Sequence, residues 1–394
     1  MPRIMINKNV ILTFMHAKLQ KKSQTLCFLT FFFYFCKKIW KIMKRESNFE
    51  VLRTVAMFFI VVYHCLTHGV GDEYSFVMSS PSSIANLLFS DFLLVFSSIA
   101  VYLYVMISGY FLVDLDFKLS RVVRTWTNTL FYSCIITVLF MAFQLVPFNI
   151  TTLGKSFFPI STDAYWFVTQ YIGLLILSPF LALIARQISY RQYLFLLIGG
   201  AFICLSIIPD FPMGKRYYVA HGNSVWSFAY LFLVAGFIKH HVKRQSMTRL
   251  LSLVVFVTIL LFACEVFEGY KQNSIHLFWL NYNSLPFILS VLVFMLVRQM
   301  AVPENCFWNL LVKAAPYTFG VYLIHDHLLV RDWLWTTASL HSQCDKLAFP
   351  LIVIGLCLAI FAICACIDAV RKCLFAVCKI DNLIAKVDKW SVYS

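Results

Sequence analysis

The chain reads as an all-α protein: a polytopic bundle of about ten membrane-spanning helices with both termini on the cytoplasmic side. Three observations predict this. Of the 394 residues, 61% are hydrophobic and only 13% charged, whereas a soluble domain holds about 45–50% apolar and about 25% charged residues. Apolar runs close to the ~20 residues that cross a hydrocarbon core recur along the sequence. The cations gather between those runs, mostly in alternate loops. The formal charge of +15 is therefore loop charge of the positive-inside kind. No soluble basic domain is present, so nucleic acid is not an expected partner and the lipid bilayer is.

Residues 1–42 stand apart from the rest. Leu26–Cys36 is aromatic and apolar, but at about 11 residues it is too short to span. No small-residue cleavage site follows it, so a signal peptide fits poorly. Met43 leads directly into Lys44, Arg45 and the first long run. Translation is therefore expected to start at Met43, with a short interfacial anchor as the competing reading.

Spanning runs are expected at about 50–68, 86–112, 125–147, 165–185, 192–208, 224–242, 250–268, 276–299, 316–335 and 347–370. No internal repeat and no polar or Pro/Gly-rich linker divides them. Residues 43–372 thus form one membrane domain, followed by a basic cytoplasmic tail over 373–394. One set of loops carries Lys118, Arg121, Arg124, Arg186, Arg191, Lys239, Lys243, Arg244 and Arg249; the opposite set carries fewer cations and includes Asp163, Glu268 and Asp345. This bias sets the orientation. Most of the thirteen cysteines fall inside apolar runs, where they act as small hydrophobes. No pairing with zinc spacing is present, and no metal site is expected.

Four features rise above a generic bundle. In the first run, Arg53 and His64 are eleven positions apart. At about 100° per residue that is roughly three turns, so both lie on one helix face, about 16 Å apart along the axis. An ionisable group that deep in an apolar span is costly and points to function. Arg121 and Arg124 open the third run three residues apart, on one face. Two guanidiniums at a helix start make a bidentate anion clamp, helped by the free N–H groups of that helix end; an anchor on lipid phosphates is the alternative. His325 and Asp326 lie in an apolar run and suit orienting a polar substrate or tuning an imidazole. Neighbours on a continuous helix do not share a face, so polar groups satisfied within the bundle fit equally well. Ser108–Leu112 (SGYFL) brings small residues that permit close helix approach. Trp166, Trp226, Trp333 and Trp335 suit an aromatic belt.

Taken together, a base toward the outer side, a cation on its face and an anion clamp at the inner rim define a line across the bilayer. An extended polyphosphate cofactor fits that line. A transporter or flippase of a lipid-linked sugar would also bury cations along a path, although no inverted symmetry with broken helices is evident.

The arginine–histidine spacing in the first helix, the Arg121/Arg124 pair, SGYFL, the stretch YWFVTQYIGLLILSPFL and the YLIH of the ninth run resemble the acyltransferase 3 family, over about residues 43–372. The resemblance implies a ten-helix integral membrane O-acyltransferase of bacterial cell-surface polysaccharides, in the inner membrane. It implies an acyl-CoA donor, acetyl-CoA in the first instance, arriving from the cytoplasm. The acceptor is a hydroxyl of a glycan or its lipid-linked precursor. His64 matches the family's essential histidine, and Arg53, Arg121 and Arg124 match the arginines of donor binding. Trp166, in a shared stretch, joins His325 and Asp326 as expected substrate-binding residues. The acyl group, the acceptor and the oligomeric state are not legible.

Overall fold

A computed structural model describes residues 46–71, 80–204, 224–272 and 285–390. The expectation about residues 1–42 lies outside these. The described residues are helical and contain no strand.

Helix α1, Ser47–His64, follows the extended residue Glu46 and places Glu50 in its first turn, where a carboxylate suits the helix dipole. It continues as a π-helix over Cys65–Val70. Next come α2 (Pro81–Ser98), with proline at its first turn, and α3 (Ala100–Leu112), separated by a turn at Ile99. Then follow α4 (Leu119–Ala142), the short α5 (Ile150–Ser156), α6 (Trp166–Gln187), α7 (Tyr190–Cys204) and α8 (Val225–His241). The remainder comprises α9 (Met247–Gln272), α10 (Leu285–Arg298), α11 (Cys306–Ala314), α12 (Thr318–His325), α13 (Leu328–Ala338), α14 (Phe349–Val377) and α15 (Ile380–Lys386).

Among the described residues, six helical stretches are long and apolar enough to cross a membrane: Ser47–Val70, Pro81–Leu112, Leu119–Ala142, Trp166–Gln187, Met247–Phe267 and Phe349–Val377. The expected runs at 192–208, 224–242 and 276–299 correspond to the shorter α7, α8 and α10; residues 205–208 and 276–284 lie outside the described ones. The expected span at 316–335 is a correction. It is two helices, α12 and α13, broken at Asp326 and His327. The break has a local cause: His327 adopts extended backbone (φ −60, ψ 130), and its Nδ1 caps α13 by accepting the Leu329 N–H at 3.2 Å. A polar His-Asp-His triplet thus ends one helix and starts the next.

The hub is α1. Of its most apolar window 72% is buried inside the protein, against 22% for Met247–Phe267 and for Phe349–Val377. It packs on α2, α3, α11, α12 and α14. The outer helices present large exposed apolar side chains such as Phe195, Phe202, Leu351 and Val370, a surface suited to lipid rather than water. The SGYFL stretch does allow close approach: a Cβ on Gly109 would lie 2.7 Å from the Cα of Phe232 on α8.

A second tight contact fixes α12. Asp368 of α14 lies against Gly320, where any Cβ would overlap its carboxylate. Asp368 accepts from Tyr132 on α4 at 2.9 Å and from Arg371 Nε at 2.7 Å, and Arg371 reaches on to Asn128 Oδ1 at 2.9 Å. One carboxylate thus ties α4, α12 and α14 together.

Candidate functional site

His64 is the last residue of α1 before the π-helix. In α1, Arg53, Met57, Ile60 and His64 recur at the spacing of one face. The winding then loosens: the Gly71 N–H donates to Leu66 O, an i→i−5 bond. At about 4.4 residues per π-turn, His68 falls almost directly over His64, and their ring centroids lie 5.5 Å apart.

α12 brings His325 against this face. His325 Nδ1 is 2.6 Å from the Val321 carbonyl oxygen, and His325 Nε2 is 2.9 Å from His64 Nδ1. The tautomers follow. A carbonyl only accepts, so His325 Nδ1 carries the hydrogen and, in the neutral ring, Nε2 keeps the lone pair. That lone pair accepts the Nδ1–H of His64. The Nε2 of His64 is then left as a basic lone pair. Asp326, released from the helix by the break, sets Oδ1 at 3.6 Å from the same Nδ1. On a continuous helix His325 and Asp326 would diverge; the turn at Asp326 lets both approach His64.

His64 and Asp326 border a cavity of about 320 Å³. His64, His68, Asp326 and Arg331 line it together with aromatic side chains, among them Trp166, Phe167, Tyr104 and Tyr322. Of the residues expected to bind substrate, Trp166 and Asp326 line this cavity. His325 does not line the cavity; it stands behind His64 as a hydrogen-bond partner. Arg331, His68 and Tyr104 are lining residues that the sequence reading did not single out. Arg331 sits one turn beyond the His327 cap, so recognising that cap would have pointed to it. His64, His68 and Asp326 also bring one potential ligand atom each within 4.8 Å of one another. With His64 Nδ1 committed to His325, only its Nε2 is available to such a grouping.

The arginines lie toward the other end. Arg53 is one turn of α1 before Met57, the cavity-lining residue nearest it on this helix. Its Nη1 donates to both oxygens of Glu50, at 2.9 and 3.1 Å, which orients the fork and leaves Nη2 and Nε for other acceptors. Tyr104, at the cavity wall, is within electrostatic reach of Arg53 and bonds Thr318 at 2.9 Å. Arg121 and Arg124 stand at the start of α4. Tyr132 of that helix meets Asp368, and Phe140 meets Trp333 of α13, with ring centroids 6.3 Å apart. Since α13 packs on the π-helix, α4 runs in the same direction as α1. The three arginines therefore share one end of the bundle, and His64 lies toward the other.

At the arginine end the start of α4 already attracts carboxylates. Asp388 accepts from the Ser120 N–H at 2.7 Å and from the Ser120 hydroxyl at 2.8 Å, while Asp381 of α15 lies 3.5 Å from Arg124. Desolvation alone would push the Asp388 carboxyl up; the Ser120 bonds, with Lys118 and Arg121 nearby, hold it below the usual carboxylate range. Arg121 Nη1 donates to the Asp116 carbonyl at 2.7 Å.

A family model described as an acyltransferase domain matches residues 46–369. No curated protein and no solved structure matches the chain.

Proposed function

Because the chain belongs to the acyltransferase 3 family, whose domain covers its residues 46–369, we propose that this membrane acyltransferase moves an acyl group, acetyl in the simplest case, from cytoplasmic acyl-CoA to a hydroxyl of a cell-surface glycan or its lipid-linked precursor. The bilayer is the inner membrane of a bacterium, with both termini cytoplasmic. The observation that carries the reading is the Val321–His325–His64 chain of hydrogen bonds. It leaves His64 with a basic Nε2 at the wall of an aromatic-lined cavity.

The chemistry follows from that tautomer. A sugar hydroxyl is a poor nucleophile, and a neutral imidazole is suited to take its proton near pH 7. The hydroxyl oxygen attacks the thioester carbon while its proton passes to His64 Nε2. The C–S bond then breaks, and the departing thiolate takes that proton to leave as CoA thiol. The alternative route acylates Nε2 first and hands the group on to the hydroxyl. Both use the same lone pair, and in both His325 holds the ring by accepting from Nδ1. The aromatic walls give apolar faces against which a sugar ring packs.

Donor binding is assigned to Arg53, Arg121 and Arg124. What supports this is their common end of the bundle and the carboxylates already drawn to the start of α4. CoA phosphates there would extend the pantetheine arm along α1 toward His64, about 16 Å away from Arg53 by helix rise. Trp166 and Asp326 are assigned to the acceptor side. The experiment is mass spectrometry of surface glycans from cells with and without the gene, paired with thiol release from acyl-CoA by the purified protein. Loss of one ester-sized mass together with acyl-CoA consumption supports the reading. Sugar translocation without acyl-CoA consumption replaces it with a transporter.

A further inference from the structure

The acyl-transfer reading leaves one charge without a partner. As the hydroxyl attacks, the thioester carbonyl oxygen becomes an oxyanion, and in a water-poor cavity that charge needs a donor in place beforehand. His64 has spent Nδ1 on His325 and uses Nε2 for the proton. Among the described residues lining the cavity, Arg331 alone carries a permanent positive charge.

We propose that Arg331 is the oxyanion-stabilising residue of this site. The inference rests on the acyl-transfer reading above and adds a catalytic residue to it. Arg331 Nη1 lies 3.8 Å from Asp326 Oδ1, and that same oxygen lies 3.6 Å from His64 Nδ1. The guanidinium and the base therefore approach one carboxylate oxygen, and all three residues line the cavity. Arg331 Nε is 3.7 Å from Asp332, whose side chain is 76% exposed. Both carboxylates sit beyond hydrogen-bond distance. Among the described residues, no acceptor takes a hydrogen bond from this guanidinium. Meanwhile Asp326 Oδ1 is buried without a hydrogen-bond partner of its own. Asp326 thus offsets the charge of Arg331 without occupying its donors, which stay available for an oxygen that turns negative during the reaction.

The backbone explains how the residue arrives there. The break after His325 starts α13 at the His327 cap, and the Arg331 N–H donates to His327 O at 2.7 Å in the first turn of that helix. The one interruption that frees Asp326 from α12 also sets Arg331 at the cavity wall.

The test compares thiol release and transfer by purified wild type, Arg331→Ala and Arg331→Lys in nanodiscs. Arg331→Ala should lower kcat by about 10²–10³-fold, with KM for acyl-CoA and acceptor within about threefold and unchanged melting. Arg331→Lys, which keeps the charge but not the fork, should recover part of the rate. Added guanidinium ion should restore turnover to Arg331→Ala, where an equal concentration of sodium chloride does not. A raised acceptor KM with intact kcat would overturn the proposal, since Arg331 would then hold the acceptor. So would a wild-type rate in Arg331→Ala, or a loss that neither lysine nor guanidinium relieves. If wild type itself releases no thiol, the acyl-transfer reading falls and takes this assignment with it; if wild type turns over and Arg331→Ala matches it, only the assignment falls.

Discussion

Asp368 and Asp326 are both carboxylates buried among apolar helices, at 1% and 4% exposure, yet their surroundings are built differently. Asp368 is gripped: Tyr132 and Arg371 hydrogen-bond one oxygen, and the Lys372 ammonium lies 3.8 Å from the other. Lys372 is itself tied to the Pro316 carbonyl, and Arg371 packs over the Phe375 ring at 4.8 Å. Asp326 has cationic or titratable neighbours at similar separations, but none within hydrogen-bond reach of Oδ1. The first cluster lies where three helices join; the second faces a cavity. Each carboxylate keeps one buried oxygen without a hydrogen-bond partner, Asp368 Oδ2 and Asp326 Oδ1; what differs is that two donors lock the other oxygen of Asp368 between helices, as scaffold, while Asp326 lines a cavity.

Substitutions can break this contrast. The largest effect is expected at the scaffold. Asp368→Ala strands Arg371 and Lys372 without their counter-charge and should cost about 3–5 kcal/mol, visible as a fall in melting temperature and yield. Asp326→Asn should leave melting nearly unchanged while slowing transfer; equal melting losses in the two variants would erase the distinction. His325→Ala removes the acceptor that holds the His64 ring, and a misplaced catalytic group costs about 10²-fold in rate. His325→Gln, which keeps an acceptor, should lose less, and the ratio of the two rates measures the positioning effect. Gly320→Ala forces a methyl into the Asp368 carboxylate and should cost about 1–3 kcal/mol, read by thermal melting. The smallest effect is at the arginine end. Arg121→Ala combined with Arg124→Ala should raise the KM for acyl-CoA about tenfold, near 1.4 kcal/mol. That difference should shrink at high salt because the start of α4 is exposed to screening.

How much was legible in the sequence follows the same division. The face shared by Arg53 and His64 needed only helix periodicity, and it holds until the π-helix begins. The class of fold followed from apolar run length. What escaped was whatever depended on interruptions. No proline or glycine marks the break at Asp326; it rests on a histidine cap, a weak signal inside an apolar run. On a continuous helix His325 and Asp326 do not share a face, and without the break nothing singles out Arg331. The junction at Asp368 was hidden in part, since Tyr132 and Gly320 are far from it in the chain, although Arg371 and Lys372 lie three and four residues on. The Glu50–Arg53 pair was within reach, three residues apart on one helix face.

The central claim is that His64 supplies the reacting lone pair. The most direct test is thiol release from acyl-CoA, in the presence of acceptor glycan, by His64→Ala in nanodiscs beside wild type. The account predicts a loss of about 10²–10⁴-fold with acyl-CoA binding and melting temperature preserved. A His64→Ala protein that is folded, binds donor and transfers at near wild-type rate would contradict it.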